Sequence, residues 1–205
     1  MTRLKRLALP GLLLMMLGVV TTGGEPSPRL TSLFADPAWT LVDIEGQSHR
    51  PWEDSTVKAA VLVFISTDCP IANYYHPTLR KLQEEFAGQG ITWYFVHADP
   101  GLTEERARKH AADYSLKAPV LLDREHRLAR AATATKTPQA AVIRPGGAVA
   151  YLGRIDDTYV GYGKKRARPT RLDLRDALAA VAAGQPVTTP RTESVGCFIP
   201  FSRQR

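Results

Sequence analysis

Two kinds of hydrophobic pattern alternate along this chain. Short, continuous apolar runs rich in β-branched residues predict strands buried on both faces of a sheet; they are KAAVLVFIS, ITWYFVHA and APVLLD. Longer segments, in which apolar residues recur every three or four positions between charged ones, predict amphipathic helices; these begin near Pro70, Pro100, Arg124 and Thr170. We expect Pro70 and Pro77 to bracket the start of the first helix and Gly88 to follow its end.

The remaining segments complete the order of elements. AWTLVDIEGQSHRPWED predicts a short strand, a turn at Gly46 and a returning strand, and TPQAAVIRPGGAVAYLGRID predicts two strands joined by a turn. The predicted order is β–α–β–α–β–α–β–β–α. It indicates an α/β fold with a central mixed β-sheet and helices on both faces, in which the first strand pairs are parallel and the closing hairpin is antiparallel. The C-terminal tail, residues 187–205, has no regular period.

The first 24 residues have the layout of a secretory signal peptide. Arg3, Lys5 and Arg6 precede an apolar stretch that is shorter than the roughly 20 residues of a comfortable membrane span, and small residues follow it. An uncleaved membrane anchor is the alternative, and it would be the predicted contact with a membrane. We therefore expect an exported protein, periplasmic or extracellular. The expected organisation is a signal peptide at 1–24, a linker at 25–35, one domain at 36–186 and the tail at 187–205.

The chain is basic, with a formal net charge of +7 at pH 7. Removal of the signal peptide takes away three positive charges, and most of the remaining excess lies between Arg154 and Arg175. Nucleic-acid binding also calls for stacking aromatic residues or a recognisable module, so we predict no nucleic-acid partner. For an exported chain, a solvated loop or a surface for an acidic partner is the better interpretation of this basic segment.

The chain has only two cysteines, Cys69 and Cys197. Two cysteines are too few for a disulfide-stabilised scaffold. They therefore have a chemical role as thiols, or they form a single disulfide bridge. Cys69 lies in STDCPIAN, between a predicted buried strand and a predicted helix. Unpaired N–H groups and the positive end of the helix dipole stabilise a thiolate there, which makes the sulfur a better nucleophile near neutral pH. Pro70 suits this position because the first turn of a helix does not need its N–H.

Three segments resemble the redoxin domains of the alkyl hydroperoxide reductase and thiol-specific antioxidant (AhpC/TSA) superfamily. They are VLVFISTDCPIANYYHPTLRKL, TPQAAVIRPGGAVAYLGRIDD and TRLDLRDALAAVAAG, and the resemblance extends from about residue 36 to residue 184. It implies a thioredoxin-like fold and a thiol-based oxidoreductase with antioxidant activity. Cys69 would be the nucleophile, Ser66 would retain the family's hydroxyl near the sulfur, and Thr137 and Pro138 would form a cis-proline loop beside it. The resemblance implies no cofactor and no bound metal.

Several residues depart from the family patterns. Ala72 stands where a thioredoxin has the second cysteine of its local pair, so the usual local disulfide cannot form. A peroxiredoxin has a proline seven residues before its reactive cysteine, and this chain has Leu62 there. Arg144 and Arg154 are the candidates for the family's activating arginine, and neither matches its position clearly. Thiol–disulfide exchange and peroxide reduction therefore both remain open.

Cys197 is the other thiol that could act with Cys69. A tail cysteine can resolve an oxidised thiol from far along the chain, so we predict Cys197 as a resolving or disulfide partner. A permanent structural bridge between the two cysteines is an alternative, and so is a one-cysteine centre that depends on an external reductant. The partners that these interpretations imply are a protein thiol or disulfide, an external reductant, or a small hydroperoxide.

Two further functions are alternatives to an enzyme. The missing local cysteine fits a non-catalytic thioredoxin-like module that binds a partner through the Pro138 loop and the basic segment. A metal- or haem-handling protein that uses Cys69 and Cys197 is less well supported, because His76 and His97 do not complete a copper site without a second nearby cysteine. We expect the remaining helical histidines, including His110 and His126, at the surface.

Overall fold

The computed structural model describes residues 33–34, 36 and 40–201. The predicted signal peptide and nearly all of the predicted linker lie outside these residues. The strands are β1 Leu41–Val42, β2 Ser48–His49, β3 Ala59–Ile65, β4 Ile91–His97, β5 Val120–Leu122, β6 Lys136–Thr137, β7 Gln139–Ile143, β8 Val149–Gly153, β9 Tyr159–Gly161, β10 Lys164–Lys165 and β11 Cys197–Phe198. The helices are α1 Pro70–Glu85, α2 Glu104–Asp113, α3 Arg127–Ala132 and α4 Asp173–Ala182. None of the helices in the described part is long and apolar enough to cross a membrane.

Five strands form the central sheet, in the order β5–β4–β3–β7–β8. The neighbours β3, β4 and β5 run parallel, whereas β7 is antiparallel to β3 and β8 is antiparallel to β7. Every residue of β3 is buried, as expected for the middle strand of a sheet covered on both faces. The predicted mixed α/β sheet is confirmed, and so is the small antiparallel pair β1–β2, which turns at Gly46.

The two faces of the sheet carry separate hydrophobic cores. Alternate residues of β3 point to opposite sides, so Val61 and Val63 face one core and Leu62 and Phe64 the other. The first core receives the apolar sides of α1, α2 and α4, and the second is covered by α3. Both cores reach the end of β3, and the chain leaves the sheet there toward Cys69.

Helix α1 differs from the prediction in one respect. Pro70 is its first residue, as expected, but Pro77 lies inside the helix. The prediction that the two prolines bracket the start of the helix is therefore wrong. An internal proline removes one backbone hydrogen bond, yet Tyr75 and Leu79 on either side of it are buried in the first core. Tertiary packing keeps the helix continuous where the local sequence disfavours it.

The tail is more ordered than its lack of a period suggested. Residues 190–192 run beside β8, where Leu152 donates its N–H to Pro190 and accepts one from Thr192. Farther on, β11 pairs antiparallel with β6, and Cys197 lies opposite Thr137. The side chain of Ile199 then enters the second core. The tail thus crosses from one edge of the molecule to the end of β3, where Cys69 lies.

Candidate active site

Cys69 is the N-cap residue of α1 and is completely buried, with 0% of its surface exposed. Its sulfur accepts a hydrogen bond from the N–H of Ala72 at 3.5 Å, which is the bond that a serine or aspartate cap would make. As a thiol it also donates to the carbonyl of Thr137 at 3.1 Å. The cysteine is therefore placed where the unpaired N–H groups of a helix can stabilise a thiolate.

Thr137 and Pro138 lie directly against Cys69. The bond between them is cis, and both residues are buried. Thr137 belongs to β6, so the loop presents one strand edge to the tail and one carbonyl to the Cys69 sulfur. The structure thus brings together three of the residues singled out in the sequence.

Cys197 completes this group from the far end of the chain. It lies opposite Thr137 in the β6–β11 pair, and the carbonyl of the same Thr137 accepts the hydrogen bond from the Cys69 thiol. Both cysteines are free thiols in this structure. Two thiols that are separated by 128 positions in sequence therefore meet at one site.

The two thiols have different acidities. Burial alone would raise the pKa of Cys69, but hydrogen bonds to its sulfur, led by those from the Cys197 thiol and the Ala72 N–H, hold the pKa below its ordinary value. The Cys197 N–H and the Thr137 hydroxyl lower this pKa further. Burial, together with the adjacent Cys69, raises the pKa of Cys197 to about 11. Cys69 is consequently the sulfur that ionises first.

Close backbone packing positions the tail at this site. A Cβ atom on Gly196 would lie 2.0 Å from the Thr137 carbonyl oxygen, so only glycine allows the tail to approach β6 this closely. The hydroxyl of Tyr162 donates to the Gly196 carbonyl. On the other side, the ammonium group of Lys136 donates to the Ser194 carbonyl at 2.9 Å. These contacts determine where Cys197 lies.

Comparison with known proteins assigns the family. The model of the AhpC/TSA family matches residues 35–152, which is more than half of the chain and includes Cys69 and Pro138. The chain belongs to the AhpC/TSA family. No curated protein matches it. Cys197 and the rest of the tail lie beyond the matched residues.

Solved structures of similar proteins show the fold of the chain. A hypothetical protein from Sinorhizobium meliloti 1021 is 29% identical with a TM-score of 0.69, and the match covers 80% of this chain and 91% of that one. An uncharacterised conserved protein from Geobacillus kaustophilus is 23% identical with a TM-score of 0.68, covering 81% and 89%. DsbF of Mycobacterium tuberculosis, in mixed oxidised and reduced forms, is 17% identical with a TM-score of 0.53, covering 74% and 97%. The fold is thioredoxin-like.

Other predicted site residues of this AhpC/TSA chain lie elsewhere. The Ser66 hydroxyl accepts the N–H of Asp68 at 3.4 Å, and no hydrogen bond joins it to the Cys69 sulfur among the residues described. Arg154 is paired with Asp173 at 2.8 Å, and Arg144 donates to the Gln185 carbonyl. Both candidate arginines are thus bound to other groups.

A buried histidine cluster beside the site was not predicted. His76, His97 and His110 are all buried, and their ring centroids are 5.4 Å apart for His76–His110 and 5.1 Å apart for His97–His110. Asn73 links the cluster to the loop before Cys69, because its Oδ1 accepts from the Nε2–H of His110 at 3.0 Å and its Nδ2 donates to the Thr67 carbonyl at 3.0 Å. Asn73 and His76 are three residues apart, which places both side chains on one face of the helix. This spacing does not show whether that face is buried or exposed.

Two predictions of surface histidines are wrong. His110 and His126 were expected on helix surfaces, yet both are buried. His126 precedes α3 and makes a 2.9 Å hydrogen bond to the Ala98 carbonyl.

Burial lowers the pKa of His76 to about 4 and that of His97 to about 3, with a smaller contribution from the neighbouring histidines. Among the described side chains, no group of three or more His, Cys, Asp or Glu is arranged to hold a metal ion.

Proposed function

We propose that this protein is an exported thiol–disulfide oxidoreductase whose redox pair is Cys69 and Cys197. The observation that carries the proposal is that both free cysteines lie against Thr137, Cys69 through its hydrogen bond to the carbonyl and Cys197 as the paired residue of β11. Cys69 supplies the nucleophilic thiolate, and Cys197 takes the position that a local second cysteine would otherwise fill. In this scheme residues 36–186 form the redoxin domain and the tail contributes the second cysteine.

The reaction exchanges two electrons. In the reduced protein the two thiols transfer two electrons and two protons to an external disulfide, which becomes two thiols, and a Cys69–Cys197 bond forms. The reverse reaction oxidises an external dithiol and restores the two protein thiols. Cys197 is paired with Thr137, whose carbonyl already accepts from the Cys69 thiol, so the two cysteines are held at the same strand. Proximity of this kind gives the second thiol a high effective concentration.

Disulfide exchange fits the site better than peroxide reduction. The AhpC/TSA peroxidases use an arginine near the sulfur, and both candidates here are bound to other groups. One observation keeps a small hydroperoxide as a second candidate substrate. A cavity of about 130 Å³ lies between the end of β3 and the tail, and its lining includes Ser66, Thr137 and Phe198. Oxidation of Cys69 to a sulfenic acid, followed by attack of Cys197 with loss of water, would give the same disulfide.

The proposed location follows from the leader sequence. Residues 1–24 have the features of a signal peptide. Disulfides form and persist in the oxidising compartments to which such a peptide directs a protein, so a redox-active cysteine pair would have substrates there. The partners would then be protein thiols or disulfides and their reductant. The basic segment offers a cationic surface to such a partner.

Thiol mapping tests the proposal. The reduced protein is equilibrated with glutathione buffers of graded potential, and its disulfides are located by mass spectrometry. We expect a Cys69–Cys197 disulfide that forms and breaks reversibly in the folded protein. Reduction of a model disulfide substrate should be lost in both Cys69→Ser and Cys197→Ser. Two thiols that stay reduced in oxidising buffers, or a bridge that resists reduction until the protein unfolds, would support a binding module or a structural bridge instead. One equivalent of peroxide, added separately, tests the second substrate.

A further inference from the structure

The two sulfurs of the pair differ in how an outside molecule can reach them. Cys69 has no exposed surface, because Ala72 and the β6–β11 pair enclose it. Cys197 is only partly buried, and the next side chain, Phe198, is 72% exposed. A molecule from solvent therefore meets Cys197 first. Reaching Cys69 would require β11 to separate from β6.

The geometry of disulfide exchange makes this difference decisive. A thiolate attacks one sulfur of a disulfide from the side opposite the other sulfur, so the attacked atom must be open to solvent on that side. The Cys69 sulfur has no exposed side, and it lies against the N-terminus of α1, where it accepts the N–H of Ala72. Cys197 is only partly buried and precedes the exposed Phe198. An external thiolate can thus attack Cys197 while the tail remains in place.

The leaving group favours the same sulfur. Exchange is faster when the departing thiolate has the lower pKa. Attack on Cys197 releases Cys69, whose thiolate can still accept the N–H of Ala72 at the start of α1. Attack on Cys69 would release Cys197, whose pKa is raised. Access and leaving-group strength therefore point to one direction of attack.

We propose that Cys197 is the sulfur through which this protein exchanges electrons with outside thiols, and that Cys69 never bonds to the partner. This inference rests on the proposed Cys69–Cys197 pair. An external thiolate attacks the Cys197 sulfur, a bond forms between the two, and the Cys69–Cys197 bond breaks. Its electron pair stays on Cys69, as a thiolate that the Ala72 N–H accommodates. In the reverse direction, the Cys69 thiolate attacks the mixed disulfide on Cys197 and releases the partner's thiolate.

The assignment gives the two cysteines separate roles. The tail lies on β6 and covers Cys69, and it presents its own sulfur in its place. Cys69 remains the nucleophile, but its target is a disulfide on the tail rather than one on another protein.

The test locates glutathione on the oxidised protein. The mature full chain carrying the Cys69–Cys197 disulfide reacts briefly with excess reduced glutathione, is quenched with acid, and has its free thiols alkylated. Mass spectrometry then shows which cysteine carries glutathione. We expect glutathione on Cys197 and the alkyl group on Cys69, with at least about a tenfold preference. The same disulfide opened in denaturant is the control, and there the preference should approach one.

Each other outcome has a definite meaning. Glutathione mainly on Cys69 in the native protein overturns the inference but leaves the redox pair intact. A native disulfide that glutathione does not open also overturns it, because Cys197 would then be inaccessible. If no Cys69–Cys197 disulfide forms under oxidising conditions, the proposed function itself is wrong and this inference fails with it. The disulfide is verified before glutathione is added, so the two failures are distinguishable.

Discussion

The junction after β3 and the C-terminal tail each supply one cysteine, but they are held in very different ways. Cys69 follows a fully buried strand, caps α1 and belongs to the first hydrophobic core. Cys197 belongs to a two-residue strand whose position depends on Gly196, on two side-chain hydrogen bonds and on Ile199. The comparison indicates that one half of the site is as stable as the fold, whereas the other half can be released by small changes.

The largest expected effect comes from Gly196→Ala. The added Cβ would lie 2.0 Å from the Thr137 carbonyl oxygen and 2.7 Å from its carbon, and backbone atoms cannot yield cheaply. The tail should separate from β6, so the equilibrium constant for forming the Cys69–Cys197 disulfide should fall by about tenfold or more as the effective concentration drops. Glutathione-buffer titration measures this constant, and alkylation of Cys69 should become faster at the same time.

Gly161→Ala is the matched control for this substitution. Its added Cβ would meet no atom closer than 4.0 Å, so disulfide formation should stay unchanged. Equal behaviour of the two variants would show that the tail does not depend on close contact with β6. The comparison between a rigid and a releasable half of the site would then be wrong.

Lowering the pH should destabilise the fold through the buried histidines beside the Cys69 junction, not through the tail. His76, on the buried side of α1, and His97, at the end of β4, have pKa values lowered to about 4 and about 3, whereas an unfolded histidine titrates near 6.5. The unfolded chain therefore binds more protons below pH 6.5, and stability present above that pH is lost as the pH falls toward 4. Each histidine should contribute about 1.4 kcal/mol per pH unit in this window.

Urea unfolding at pH 7, 6 and 5 measures this loss. In His97→Phe, which keeps a ring of similar size, the dependence of the unfolding free energy on pH should be shallower. His49→Phe is the matched control, because His49 is partly exposed and lies outside the cluster, where it is hydrogen-bonded to Asp43. An unfolding free energy that is flat between pH 7 and 5 in the wild type would contradict the buried, neutral cluster.

The sequence was informative about the junction and poor about the tail, for physical reasons. β3 and α1 are long enough to show their own periods, and a cysteine between them is a local signal. β11 has two residues and no period, and its partner β6 lies about sixty positions away. Only the three-dimensional fold shows that Gly196 must be small. The histidine cluster was missed because helix periodicity does not distinguish a polar residue that faces solvent from one that faces two other imidazoles.

Lys136→Met should weaken the tail to an intermediate extent. The lysine donates to the Ser194 carbonyl at 2.9 Å, and its ammonium group lies 3.7 Å from the Glu193 carboxylate. Its loss should cost about 1 kcal/mol of tail binding, which corresponds to about a fivefold lower constant for disulfide formation. Lys164→Met removes the same charge from β10 and should have no comparable effect. If both variants lower the constant equally, net charge rather than the Lys136 contact governs the tail.

Tyr162→Phe should have the smallest effect. The Tyr162 side chain is 62% exposed, and its hydroxyl donates to the Gly196 carbonyl. Because water can replace this bond, its removal should lower the constant for disulfide formation by only about threefold. The rate at which Cys69 is alkylated in the native protein also measures release of the tail from β6. This rate should be higher in Tyr162→Phe than in the wild type. Tyr74→Phe is the control, since the Tyr74 ring contacts Tyr159 and Lys165 instead of the described part of the tail. If Tyr162→Phe lowers the constant for disulfide formation more than Gly196→Ala does, this exposed tyrosine, and not the backbone contact with β6, is the main contact that positions the tail.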